Sequence, residues 1–176
     1  MNPGTPEDPV QRAKDICLRL LQFRARTRAE LRQALGRKGI AEHVAEEVLG
    51  RLDEVGLIDD KAFAEVWVRS RHTYEGLGRR AIAAELRRKG VDAEVTADAV
   101  ASVDYGAEEE RARQLVRKRL RAMAGADEAT MVRRLVGMLA RKGYSEGMSF
   151  RVVRDELRAA GTDTELLDHG PADSLG

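Results

Sequence analysis

The sequence predicts an all-α protein, built as three tandem three-helix repeats that form an elongated, curved array. Three observations predict it. The triplet Arg-Lys-Gly occurs at Arg37-Lys38-Gly39, Arg88-Lys89-Gly90 and Arg141-Lys142-Gly143, spaced by 51 and then 53 residues. Around each triplet the apolar positions recur in register. Leu35, Leu86 and Leu139 stand four residues before the glycine and Leu31, Ile82 and Leu135 eight before, while Val44, Val95 and Met148 follow it by five and Leu49, Val100 and Val153 by ten. The content of Glu, Arg, Ala and Leu, with no alternating run of Val, Thr and aromatics, favours helix over strand. Self-similarity at a period this long marks a repeat architecture. A unit of about fifty residues is too small to be comfortably stable alone, so neighbouring units are expected to pack end to end.

Residues 1–9 are expected to be a disordered extension, although Asp8 and Pro9 can serve as the N-cap and first residue of a helix. That helix opens the first repeat, residues 10–56, and sets Ala13, Ile16, Cys17, Leu20 and Arg24 on one stripe. Thr27 and Glu30 form a Thr-x-x-Glu capping box for a second helix, which buries Leu31 and Leu35 and stops at Gly39. A third helix carries Val44, Val48, Leu49 and Leu52 to Gly56.

The second repeat, residues 57–103, starts with Asp59 or Asp60 as N-cap and an inward stripe of Phe63, Val66, Trp67 and Ser70. Gly76 and Gly78 break the chain before a helix with Ile82 and Leu86 that ends at Gly90. Asp92 caps the next helix, with Val95, Ala99, Val100 and Val103 inward. The third repeat, residues 104–158, begins near Asp104 with Ala112, Leu115, Val116 and Leu120 inward. After a loop at Gly125, Asp127 caps a helix with Met131, Leu135 and Leu139, and Ser145 caps the last one, with Met148, Val152, Val153 and Leu157. Residues 159–176 are expected to be an acidic, flexible tail. Gly39, Gly90 and Gly143 are expected at positive φ just past a helix end, where a Cβ would be strained.

Composition excludes several classes. No stretch approaches eighteen apolar residues, and Met1 is followed by polar residues and prolines, so neither a membrane span nor a secretory leader is expected and the cytoplasm is the default. Cys17 is the one cysteine; on an apolar helix face it reads as core filler in a reducing compartment. The net charge is +1, but Asp163, Glu165, Asp168 and Asp173 stand in a tail with no base, which leaves the first 158 residues mildly basic. His43, His72 and His169 are too scattered for a metal site, and neither a P-loop nor a Gly-x-Ser-x-Gly elbow is present. Nothing in the chain suggests an enzyme, a cofactor or a bound metal.

The run Gly56-Leu57-Ile58-Asp59-Asp60-x-x-Phe63-Ala64, followed by Gly78-x-x-x-Ile82-x-x-x-Leu86-x-x-Lys89-Gly90-Val91, resembles the RecX family, and Thr27-Arg28-Ala29-Glu30-Leu31 is similar to that family's first repeat. The resemblance covers residues 12–157 and is most specific in the middle repeat. It implies three tandem three-helix bundles that bind along the groove of the RecA–single-stranded DNA filament. It also implies a non-enzymatic regulator of homologous recombination and the SOS response, which modulates, as an inhibitor, the ATPase, strand exchange and coprotease activity of RecA. The chain is then expected to act as a cytoplasmic monomer.

The residues that could carry such contacts are basic. Arg80 and Arg87 are seven apart and, at 100° per residue, share the outward face of their helix, opposite Ile82 and Leu86. Arg79 flanks the buried stripe, Arg88 and Lys89 sit at the helix end, and Arg69 and Arg71 come from the preceding helix. Together they form a candidate patch for the filament, where arginine forks gain from bidentate pairing with phosphate or carboxylate. Arg113, Arg117 and Arg121 make a second ladder at four-residue steps. For any one arginine a solvated helix face is the blander reading, since cations near a helix C-terminus suit its dipole; the resemblance tips the middle-repeat group toward function.

Trp67 and Phe63 follow helical spacing and read as core, because base stacking needs exposed aromatics and this chain has few. A plain DNA-binding module is the second reading, since three-helix units also frame helix-turn-helix domains. The second helices carry Gln33 as their only amide, which argues against base-specific readout and leaves weak, salt-sensitive binding of single- or double-stranded DNA. A helical scaffold for another partner is the third.

Overall fold

The computed structural model describes residues 6–161, and these form nine α-helices with no strand among them. In chain order they are α1 (Pro9–Phe23), α2 (Arg28–Arg37), α3 (Glu42–Glu54), α4 (Asp60–Thr73), α5 (Arg79–Arg88), α6 (Ala93–Ala101), α7 (Tyr105–Arg121), α8 (Glu128–Arg141) and α9 (Glu146–Ala159). The expected acidic tail falls outside the described residues from position 162 onward, as does His169.

Local chemistry sets the helix ends. Asp8 accepts from the Val10 amide with Pro9 in the first turn, and Thr27 and Glu30 close a reciprocal capping box. Asp59 accepts from the Ala62 amide, which makes it the cap of α4, and Asp104, Asp127 and Ser145 cap α7, α8 and α9. Gly39, Gly90 and Gly143 stand at φ of +77°, +78° and +93°, the left-handed region that a side chain opposes.

The apolar columns pack as the register predicts. Leu31, Ile82 and Leu135 are fully buried, as are Leu35, Leu86 and Leu139. The third helices bury the expected residues and one more column beside them: Ala45 joins Val44, Val48 and Leu49 in α3, and Ser149 joins Met148, Val152 and Val153 in α9. In α6 the same register buries Thr96 and Ala99 while Val95 and Val100 are half-buried.

One stripe departs from expectation. In α4 the buried residues are Phe63, Ala64 and Val68, whereas Val66 is 61% exposed and Ser70 is exposed. Positions 63, 64, 67 and 68 fall within one arc at 100° per residue, and 66 and 70 trail off its edge. Trp67 is half-buried rather than core. It stacks on Phe63 with centroids 5.7 Å apart and donates through Nε1 to Glu85 at 2.8 Å.

By packing, the described residues divide into two compact units, and the division cuts the middle repeat. The first unit takes everything up to Trp67 together with Ala84–Ala99; the second takes Val68–Ala83 together with everything from Val100. The joints explain the cut. In the first unit Thr27 Oγ1 donates to the Lys89 carbonyl at 2.7 Å, the Asp60 carboxylate accepts from the Arg28 amide at 2.9 Å, and Gly90 lies so close to Ala29 that a Cβ on it would collide with the Ala29 Cβ. In the second unit the same parts recur one repeat later. The Gly78 amide donates to the Lys142 carbonyl at 2.7 Å, Glu108 accepts from the Arg79 amide at 3.2 Å, and Gly143 abuts Ala81.

Each joint therefore sets the Lys-Gly end of one repeat's second helix on the N-terminus of the second helix before it, with an acid from the following first helix closing an open amide. Gly39 has no such neighbour, and a Cβ there would meet nothing within 4 Å. At the other end α8 has 14 residues where α2 and α5 have 10. The position in register with Thr27 is Met131, inside the helix, so α8 offers no third socket of this kind.

Candidate functional site

The seven basic residues singled out in the middle repeat separate into two kinds. Arg79, at the first position of α5, donates through Nε to Glu108 at 2.7 Å, and Glu108 is only 4% exposed. Its guanidinium is a brace onto α7, and the carboxylate it holds also closes the amide of its own helix. Lys89 sits over the Trp67 ring, 4.5 Å from the centroid, and 3.9 Å from Glu30. That cation–π and ionic cover seals the joint at Thr27. Arg71 is half-buried, 4.0 Å from Glu75. Arg79 and Lys89 are thus committed to holding the fold, a role that spacing along their own helix does not reveal.

Arg69, Arg80, Arg87 and Arg88 are exposed and make no ion pair with another described residue. Arg87 and Arg88 belong to the first unit; Arg69 and Arg80 belong to the second. Arg80 borders a groove of about 490 Å³ with Val136, Ala140, Tyr144, Glu146 and Phe150. These four guanidinium groups are available to phosphate or carboxylate without breaking an internal contact.

The second arginine ladder is not free. Arg113 reaches Glu109 at 2.6 Å, Asp155 at 3.1 Å and Glu156 at 3.3 Å, and Arg117 reaches Glu156 at 2.9 Å. Arg151 adds a contact to Glu109 at 3.0 Å and donates to the Tyr105 hydroxyl. The hydrogen bond from Arg113 holds the Glu109 carboxyl below its ordinary range against the opposing effect of burial. At Asp155 burial pushes upward, but Arg113 and Arg154 bring the carboxyl below its ordinary range. Only Arg121 of that ladder stays exposed without an ion pair to a described residue. The ladder is an α7–α9 clamp.

The loop between α4 and α5 is clamped as well. Arg111 donates to the carbonyls of His72 and Thr73 at 3.3 and 3.2 Å, Lys142 to that of Glu75 at 3.0 Å, and Tyr144 to that of Gly76 at 2.8 Å. Donors gathered on the open carbonyls of a helix end suit both hydrogen bonding and the dipole. Burial pushes the Cys17 thiol up to about 11, which keeps it neutral in the core. His72 Nδ1 lies 3.0 Å from the Leu77 carbonyl, and His43 is exposed. Among the described residues no group of three His, Cys, Asp or Glu is placed to hold a metal, and no helix is long and apolar enough to cross a membrane.

Comparison with known proteins places all three repeats. Residues 13–52, 59–100 and 107–153 match the family models described as the first, second and third three-helix domains of RecX. The chain is 54% identical over 168 residues to a regulatory protein RecX of Amycolatopsis mediterranei, covering 96% of each chain. It is 57% identical over 162 residues to one of Streptomyces coelicolor, covering 92% of this chain and 86% of the relative. A crystal structure of RecX from Lactobacillus salivarius superposes with a TM-score of 0.79 at 24% identity, over 86% of this chain and 98% of the other, and so shares the fold. A crystal structure of a regulatory protein RecX superposes with a TM-score of 0.74 at 26% identity, over 84% and 72%.

Proposed function

The chain belongs to the RecX family, and from that premise we propose that it is a non-enzymatic regulator of homologous recombination and the SOS response. It binds the RecA–single-stranded DNA filament and slows its ATP hydrolysis, strand exchange and coprotease activity, acting as a monomer in the cytoplasm. The observation that carries this reading is the match of all three repeats, in order, to the three domains of one family of regulatory proteins. The availability of Arg87 and Arg88 on the first unit, and of Arg69 and Arg80 on the second, supports contacts made by each unit through its part of the middle repeat. Guanidinium groups without internal partners can form bidentate pairs with an acidic protein face or with phosphate.

Co-sedimentation tests it. RecA filaments are assembled on single-stranded DNA with a slowly hydrolysed ATP analogue, and the protein is added at fixed salt. The expected result is sedimentation with the filament well beyond that seen with the same DNA alone. Equal sedimentation with bare DNA would transfer the reading to a sequence-nonspecific DNA-binding module.

A further inference from the structure

The groove beside Arg80 lies wholly within the second unit, where α8 passes into α9. Its volume is about 490 Å³, and Val136, Ala140 and Phe150 give it an apolar floor. None of the three is buried, and Arg80 and Glu146, both exposed, supply its charges. Along α9, Arg154 and Arg158 stand at i+4 and i+8 from Phe150, within one arc of the helix at 100° per residue. A basic track thus leads from the end of α9 back to the groove. Arg154 lies 3.4 Å from Asp155, which Arg113 already holds at 3.1 Å, so two guanidinium groups share that one acid.

The chain that leaves α9 has the complementary composition. Gly161, at φ of +77°, donates its amide to the Arg158 carbonyl at 3.0 Å, and a left-handed residue past a helix end turns the backbone out of the helix. Residues 162–176 carry Asp163, Glu165, Asp168 and Asp173 with no Lys or Arg, and Leu166 and Leu167 stand between the first two acids and the third. The reach also fits. At about 1.5 Å per residue, Phe150 lies about 16 Å back along α9 from Gly161, a distance that about five or six residues of extended chain cover. On such a path alternate residues share a face, so Asp163, Glu165 and Leu167 would be turned the same way. The two acids would pass Arg158 and Arg154, and Leu167 would arrive at Phe150.

We propose that residues 162–168 fold back along α9 and dock in this groove, with Asp163 and Glu165 on Arg158 and Arg154, Leu167 on Val136 and Phe150, and Asp168 beside Arg80. Exposed ion pairs are weak singly, but the tether holds the segment at a high effective concentration. The leucine adds the apolar contact that charge alone lacks. A polyanion would use the arginines and leave the apolar floor uncovered, whereas this segment meets both. The contact lies within one chain and stands whether or not the chain regulates RecA; if it does, the tail and the filament compete for Arg80.

Paramagnetic relaxation in the full chain, with no RecA, tests it. A nitroxide is placed on Thr164→Cys, on the face of the extended run away from the two acids, while Cys17 is buried and stays unlabelled. The label is expected to broaden the amide signals of Val136, Ala140 and Phe150. Adding Asp163→Asn with Glu165→Gln is expected to remove most of that broadening, as is adding Leu167→Ser, at an unchanged melting temperature. Broadening confined to the last turn of α9 would overturn the proposal, and so would broadening that persists in either variant. A spin-labelled chain without isotope, mixed with an isotope-labelled chain that lacks the nitroxide, reads contacts between copies. Broadening there equal to that within one chain would make the groove an interface between two molecules and overturn docking within one.

Discussion

Thr27 Oγ1 donates to the backbone carbonyl of Lys89, 62 residues later, at 2.7 Å. The same hydroxyl oxygen accepts from the Glu30 amide at 3.1 Å and caps α2. One side chain thus starts a helix in the first repeat and receives the end of a helix in the second.

Thr27→Ala removes both bonds. An N-cap threonine contributes about 1–2 kcal/mol, and a buried carbonyl that loses its donor adds about 1 kcal/mol. Denaturant titration is expected to show a loss of roughly 2–3 kcal/mol, with Thr27→Ser retaining most of the stability. Equal stability in Thr27→Ala would refute the joint.

Gly39 and Gly90 share a positive φ but differ in surroundings. Gly39→Ala meets only the conformational penalty, about 1 kcal/mol. Gly90→Ala must also displace Ala29 at the joint, so its cost is expected to exceed that of Gly39→Ala by at least about 1 kcal/mol, and Gly90→Val is expected to be worse. Matched melting temperatures for the two alanine variants would show that Ala29 yields freely.

Arg79→Ala leaves the buried Glu108 carboxylate with the Arg79 amide alone. A loss of about 1–3 kcal/mol is expected, discounted because Arg79 itself is partly exposed. The melting temperature should fall, and Glu108→Gln should fall less, since the amide can still accept from the helix start. A melting temperature for Arg79→Ala equal to wild type would remove Arg79 from the fold and return it to the candidate contact surface.

Folding holds the Glu109 and Asp155 carboxyls below their ordinary values. Their contribution is complete above the unfolded carboxylate range, about pH 4, and is lost as pH falls through the lower folded values, where the native state must also take up protons. The melting temperature is therefore expected to drop between about pH 5 and pH 2. Arg113→Ala should flatten that dependence, because it removes the partner common to both carboxyls. An unchanged acid slope in the variant would place the sensitivity elsewhere.

What was legible in the sequence is what a local period carries. Leu31, Leu35, Ile82 and Leu86 announce themselves by spacing, and Thr27, Asp104, Asp127 and Ser145 by standing just ahead of a periodic run. The phase of α4 differs from the one its spacing suggests because Val66 is apolar in type and its exposure depends on the arc that Ala64 and Val68 define. The ion pairs were invisible for a different reason. Glu108 meets Arg79 across 29 residues and Glu156 meets Arg113 across 43, with no signature at either end. Arginines committed to the fold therefore look the same in sequence as those left for a partner, and only the packing separates Arg79 from Arg80.

Steady-state ATP hydrolysis by RecA on single-stranded DNA tests the central claim most directly, with the protein titrated in at fixed salt beside the variant in which Arg69, Arg80, Arg87 and Arg88 are all alanine. The account predicts that substoichiometric wild-type protein slows hydrolysis and that the variant, with an unchanged melting temperature, requires at least about tenfold more protein for the same effect, a difference of about 1.4 kcal/mol. Hydrolysis unaffected by the wild-type protein would contradict the function. Equal inhibition by the variant would contradict the site.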